Sequence, residues 1–273
     1  MKNPKISVII PVYKPEEEIF EKVKEMLKRQ TVEAEIVENW NMPEAKSINT
    51  GIKKSQGKII VTLAQDCMPS DEKWLEKLVK PLEDKKIVAS VSDLYLPKWY
   101  WEKYPFFTKI LCLDERVIRR PVMDARACAF RRKDLEKVGF FNEDPKVIGI
   151  DSDLYLKLAK IGKIKHPNCV VYHLHPLTNQ KKNKLSYNYG EGNGKLVRRY
   201  KNKIHGVWRR VLRAIPIIGL LPIFFVFPYK RYFYYFPAYA LFSIITHLLW
   251  VYGFWHGFFL DKESERNTEA LKK

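Results

Sequence analysis

KIIVTLAQDCMP, residues Lys58 to Pro69, decides how the rest of the chain reads. Ile59, Ile60, Val61, Thr62 and Leu63 form a short, mostly β-branched apolar run, the pattern of a strand buried on both faces of a parallel sheet. It ends in Gln65 and Asp66, and Pro69 stops it. Open α/β sheets bind ligands in the crevice at the carboxyl ends of their strands. Asp66 is therefore the first candidate for a metal-binding or phosphate-handling residue. The plainer alternative is an aspartate capping a helix that begins near Ser70.

Working outward, Ile6–Pro11 is a first buried strand, and Glu16 to Gln30 carries Ile19, Val23, Met26 and Leu27 at helical spacing. Glu35–Val37 reads as a brief second strand and Ala45–Ser55 as a helix closed by Gly57. After Lys58–Leu63 comes a helix from Asp71 to Leu82, then a fourth strand, Ile87–Ser92. Ala125–Phe130 is a further strand, and Lys133–Val138 a short helix ended by Gly139. This alternation predicts a doubly wound α/β sheet. Between them LPKWYWEKYPFF, residues 96–107, fits neither a regular helix nor a strand. Its readings are an acceptor-binding wall, a surface dipping into lipid headgroups, or a satellite apolar cluster.

The chain has 273 residues, enough for one large α/β domain or two small ones, and a formal net charge of +18. Such a balance points to anionic partners: nucleic acid, an acidic membrane surface or a nucleotide diphosphate. Cys67, Cys112, Cys128 and Cys169 form no CxxC pair, so neither a zinc cluster nor a disulfide framework is signalled. MKNPKISVII runs directly into a strand pattern, so no signal peptide is read and catalysis is expected to face the cytoplasm.

Four blocks then follow in order: ISVIIPVYK (6–14), AKSINTGIKKSQGKIIVTLAQDCMP (45–69), AFRRKDLEKVGFFNED (129–144) and GIDSDLYLKLAKIGKIKHPNCVVYHLH (149–175). Together they resemble the family 2 glycosyltransferases, which have the GT-A nucleotide-sugar fold, over roughly residues 5–200. The resemblance implies that Pro11, Val12, Tyr13 and Glu38 hold the nucleotide and that Lys46 and Asn49 line its pocket. A carboxylate at 38 suits hydrogen bonds from base or ribose, and a lysine at 46 offsets diphosphate charge unless it is merely solvated. Asp66 matches the Asp-x-Asp site, where a divalent ion (Mg or Mn) meets the diphosphate. Here the triplet is Gln65, Asp66, Cys67, with a single carboxylate. His173 or His175 stands where relatives supply a further metal ligand.

Gly149, Ile150, Asp151, Ser152, Asp153 and Leu154 resemble the Gly-Glu-Asp-x-Asp-Leu block, whose central aspartate deprotonates the acceptor hydroxyl. Asp151 is thus the expected catalytic base and Asp153 a substrate-site residue; Ile150, in place of the usual acid, should desolvate Asp151 and raise its pKa. The alternative is that both acids serve the helix N-terminus.

Beyond this region Lys195–Arg213 is basic among its charges, Ala214–Pro228 is apolar but broken by three prolines, and Phe233–Leu260 is long, apolar and free of formal charge. The expected organisation is a catalytic domain over 1–205, then a basic juxtamembrane segment, one or two membrane or interfacial helices and a polar tail over 206–273. A soluble core hairpin is the alternative for the apolar pair. Membrane lipids then account for the charge without nucleic acid. The sequence thus predicts an inverting glycosyltransferase at the cell membrane, using a nucleotide-sugar donor and a lipid-linked or glycan acceptor, with polyprenyl phosphate as the other acceptor. The rival from another class is a basic membrane-associated binding protein without catalysis.

Overall fold

The computed structural model describes residues 6–116, 123–143, 149–174, 179–200, 206–227 and 232–260. The chain divides into two compact units, one from Met1–Lys103, Glu115–Glu143 and Ile150–His175, the other from Tyr104–Asp114, Asp144–Gly149 and Pro176–Lys273. The longest stretch of the second unit, Pro176–Lys273, includes a helix absent from the sequence reading.

In chain order the elements are β1 (Ile6–Val12), α1 (Glu17–Lys28), β2 (Ala34–Trp40), α2 (Glu44–Lys54), β3 (Ile59–Leu63), β4 (Cys67–Pro69), α3 (Trp74–Val79), β5 (Ile87–Val91), β6 (Asp93–Tyr95), α4 (Lys98–Trp101), α5 (Phe106–Leu111), β7 (Ala127–Arg131), α6 (Arg132–Val138), α7 (Ile150–Leu158), β8 (Lys163–Lys165), β9 (Val170–His173), α8 (Asn179–Tyr200), α9 (Val207–Arg213), α10 (Pro216–Val226) and α11 (Phe236–Leu260).

The main sheet has the order β2-β1-β3-β7-β5-β8, and a small one the order β4-β9-β6. β1 pairs in parallel with β2 and β3, and β5 with β8. β7 runs antiparallel between β3 and β5, so the sheet is mixed. All of β3 is buried, as its unalternating apolar pattern predicts. Ile59, Val61 and Leu63 join one core layer with Phe20, Val23, Trp74 and Leu78; Ile60 joins the other with Ile48, Ile52, Leu135 and Leu154. Each such side chain, withdrawn from water, contributes about 1.5–3 kcal/mol.

Arg131 and Arg132, adjacent in the AFRRKD block, have structural work. Arg131 pairs with Asp134 at 2.7 Å and donates to the carbonyls of Leu82, Asp84, Lys85 and Ile87. Arg132 donates to the carbonyls of Ile52, Ser55 and Gly57, satisfying the end of α2 and the turn after it. Gly57 does not close that helix, contrary to expectation. It lies where its N–H reaches Ser7 Oγ at 2.8 Å, and a Cβ there would stand 2.4 Å from the same oxygen. The helix expected over Asp71–Leu82 is shorter, with a 3-10 turn over Lys80–Glu83 that admits Pro81. The aromatic stretch 96–107 also departs from expectation: two short helices begin after Pro97 and Pro105, both extended residues that deliver the chain into a first turn.

In the second unit α8 and α11 run side by side. A Cβ on Gly190 would stand 2.0 Å from the Trp250 carbonyl oxygen, and one on Gly253 2.2 Å from that of Tyr187. Gly194 and Gly257 repeat the approach one turn on. Small residues four apart on both helices let the backbones meet, with Trp250 and Phe254 packed alongside. Phe233–Leu260, 28 residues, is the one helical stretch among the described residues long and apolar enough to cross a membrane. α10, with 11 residues and Pro222 inside it, reaches only about 16 Å at 1.5 Å per residue and is too short.

Candidate active site

β1 and β3 are parallel, so their carboxyl ends share one edge of the sheet. β7 is antiparallel to β3, and its amino end therefore reaches the same edge: Leu63 stands opposite Ala127, and Ala64 N–H donates to the Arg126 carbonyl at 2.9 Å. The Asp124–Arg126 turn thus faces Asp66. In the small sheet Cys67 is paired with His173, and Leu174 N–H donates to the Asp66 carbonyl at 2.9 Å.

Gln65 Oε1 accepts the Tyr13 N–H at 2.8 Å, and its Nε2 donates to the Tyr13 carbonyl at 3.1 Å. An amide can both donate and accept, whereas a carboxylate only accepts. Gln65 therefore ties the end of β3 to the end of β1. Pro11 and Val12 lie in β1, while the Tyr13 ring is exposed beyond it.

Asp66 does not cap a helix; α3 begins at Trp74 without a side-chain cap, and Asp71 accepts the Lys73 N–H at 2.9 Å in the turn before it. Asp66 Oδ2 lies 3.4 Å from His173 Nε2, and Glu115 Oε2 lies 2.7 Å from His173 Nδ1. A guanidinium nitrogen of Arg126 sits 3.3 and 3.5 Å from the two ring nitrogens, a position over the imidazole face. Arg126 is itself held by both oxygens of Asp124, at 2.9 and 2.7 Å. Burial would depress the His173 pKa, but hydrogen bonds to Asp66 and Glu115 outweigh it and hold it at about 9. Asp124 is likewise desolvated, yet its bonds to Arg126 keep its carboxyl below the usual range. Asp66, Cys67 and His173 bring donor atoms within 4.8 Å of one another. The isolated cysteines in the sequence did not signal this. The Cys67 thiol is wholly buried, which pushes its pKa well up.

Asp151 lies in the first turn of α7, where Oδ1 accepts the Ser152 N–H at 2.7 Å. Its pKa is raised as expected, first by burial; the second cause, the Asp124 charge, was not legible in the sequence. Glu44, exposed by area yet closely surrounded at the start of α2, has its pKa raised by desolvation and then by Asp151, Asp124 and Asp66. All three aspartates thus act on one carboxylate.

The other expected residues have partners of their own or lie exposed. Asp153 is buried and ion-paired with Lys157 at 2.7 Å, a helix contact between i and i+4. The Asn49 amide donates to the Phe141 carbonyl and Glu143, both at 2.8 Å, and accepts the Phe141 N–H at 3.1 Å. These bonds account for an asparagine there without any ligand. Lys46 is exposed on α2, and Glu38 accepts the Trp40 indole N–H at 3.2 Å. His175 lies outside the described residues. Glu44, Glu115, Asp124 and Arg126 are the charged neighbours of these aspartates and of His173 that sequence reasoning did not single out.

Residues 34–139 match the family described as "Glycosyl transferase family 2". No curated protein matches the sequence. Among solved structures, the chain is similar to mannosyltransferase PcManGT from Pyrobaculum calidifontis, in complex with GDP-Man and Mn2+, with TM-score 0.61 and 16% identity over 95% of this chain and 88% of that one. It is also similar to GalNAc-T7 with UDP, GalNAc and Mn2+, with TM-score 0.51 and 13% identity over 74% of this chain and 52% of that one. The sheet is mixed and mostly parallel, of the GT-A type, and the stretch across its centre, residues 34–139, matches the glycosyltransferase family 2.

Proposed function

We propose that the chain transfers a sugar from a nucleotide-sugar donor to a lipid-linked or glycan acceptor, with inversion at the anomeric carbon, while attached to a membrane. What supports this most is that Asp66, His173, Glu115 and the Asp124–Arg126 pair meet at the carboxyl end of β3. Residues far apart in the chain thus gather at the sheet edge where this fold class binds ligands. The two similar structures hold GDP-Man with Mn2+ and UDP with Mn2+ respectively, which favours a nucleotide-sugar donor here.

Asp151 acts as base. The acceptor hydroxyl oxygen attacks the anomeric carbon, its proton passes to Asp151, and the bond to the departing diphosphate breaks with its electron pair left on phosphate oxygen. The raised pKa of Asp151 makes it a better proton acceptor once ionised. The oxygen and nitrogen donors of Asp66 and His173, in a cleft rich in carboxylates, fit a divalent cation. These two residues would hold it, and when bound it stabilises charge on the leaving diphosphate.

Phe233–Leu260 is the attachment, and the basic run Lys195–Arg213 keeps the catalytic unit on the cytoplasmic side. α8 covers the glycine face of α11, leaving Leu241, Ile245 and Leu248 exposed for lipid.

The test is Asp151→Asn assayed with a nucleotide-sugar panel. Transfer to a hydroxyl acceptor should fall by about 10²–10⁴ with donor binding intact, and NMR of the wild-type product should show the inverted anomer. Undiminished transfer would remove Asp151 from the base role, and a retained anomer would exclude direct displacement. A phosphate acceptor is already ionised and needs no base, so insensitivity confined to polyprenyl phosphate would identify that acceptor.

A further inference from the structure

The triplet Gln65-Asp66-Cys67 leaves one carboxylate where two would hold a cation, and His173 Nε2 stands 3.4 Å from it. We infer that Glu115 completes this site at one remove, as the positioning residue that orients His173 so that Nε2 faces Asp66. The inference rests on the proposed role of His173 as a cation ligand.

The backbone already fixes where His173 starts. β9 pairs with β4 so that His173 stands opposite Cys67, and Leu174 N–H is bonded to the Asp66 carbonyl. Rotation of the ring and choice of tautomer are what remain open. A carboxylate oxygen 2.7 Å from Nδ1 requires a proton on that nitrogen, because two acceptors cannot share a hydrogen bond without one. The lone pair of the neutral ring is then on Nε2, 3.4 Å from Asp66 Oδ2. Arg126, lying over the ring face, opposes tilting.

Glu115 is itself anchored. Its carbonyl accepts the Leu96 N–H at 2.8 Å, and the adjacent Arg116 donates to Tyr95 Oη at 2.8 Å and to the Leu96 carbonyl. A carboxylate behind a ligating imidazole fixes its orientation and raises its basicity, and loss of such a partner weakens metal affinity by about 10–100-fold.

The experiment titrates the full chain with Mn2+ alone and counts free ion by electron paramagnetic resonance, alongside circular dichroism to verify folding. Glu115→Ala should weaken Mn2+ binding by about 10–100-fold. Glu115→Gln, isosteric and able to accept the same N–H without charge, should fall between the two and serves in place of the alanine variant if that one does not fold. On a His173→Ala background, Glu115→Ala should cost nothing more, since Glu115 acts through His173. Binding within twofold of wild type in Glu115→Ala overturns the inference, as does an equal loss on the His173→Ala background. Wild-type protein that binds no Mn2+ overturns both this inference and the cation reading of Asp66 and His173.

Discussion

His173 makes stability depend on pH in a direction that can be worked out. Its pKa rises from an ordinary 6.5 to about 9 in the folded protein because Asp66 and Glu115 flank it. A folded-state pKa above the unfolded one contributes stability that is complete below 6.5 and is lost as pH rises through 9. The gap between 6.5 and about 9, at roughly 1.4 kcal/mol per pH unit, amounts to about 3 kcal/mol. The ring's side chain is only 7% exposed, so solvent screens little of this. The assay is urea denaturation with chelator present, followed by circular dichroism from pH 6 to 9.5, for wild type and His173→Gln. Subtracting the variant removes the other titrating groups. The difference should shrink by about 3 kcal/mol on going from low to high pH. A difference that stays level, or grows with pH, refutes the placement of an imidazolium between two carboxylates.

Three more outcomes rest on single contacts. Gln65→Glu removes the donor to the Tyr13 carbonyl and sets a carboxylate against it. It should cost about 0.5–1.5 kcal/mol in the same denaturation assay, and an unchanged midpoint would contradict the clamp. Asp124→Asn removes one of the charges that raise Asp151. The acid limb of kcat/KM should move to lower pH, and movement upward would show that Asp124 does not act on the base. Gly190→Leu puts a side chain where a Cβ alone is 2.0 Å from the Trp250 carbonyl. It should destabilise the second unit by about 1–3 kcal/mol or more, read as faster proteolysis than in Lys184→Leu on the exposed part of α8; equal rates would count against the close helix contact.

The fold was legible where apolar pattern and burial coincide. β1 and β3 are buried on both faces and read as strands from their β-branched runs; α1 and α2 read from spacing, and α6 ends at a left-handed Gly139 as expected. What the pattern could not carry was direction. β7 looks like any further strand, yet it enters between β3 and β5 and runs against both. α8 was missed because its closest contacts are made by glycines: Gly190 and Gly194 meet α11 through backbone, and the buried Leu196 and Val197 lie only near its end. The prolines that made 96–107 look irregular are instead where two short helices begin.

Around the proposed site, residues beside a readable strand end carry a signal in the sequence and residues brought there by topology do not. Asp66 and His173 stand on paired strands. Asp151 stands at a helix start, and motif order is what singles out all three in the sequence. Asp153 belongs to the same motif but turns inward to Lys157, because side chains two apart on a helix cannot share a face. Glu115, Asp124 and Arg126 carry no local signal, and the antiparallel entry of β7 alone sets Asp124 and Arg126 against Asp66. The same geometry explains the unusual triplet. Gln65 is an amide because it must both donate to and accept from Tyr13, and Cys67 is apolar enough for the core layer it enters. With both flanking positions engaged in holding strands together, Asp66 is left as the triplet's only carboxylate. Further negative charge beside Asp66 comes from Glu115 and Asp124, which reach His173 and Arg126 from elsewhere in the chain.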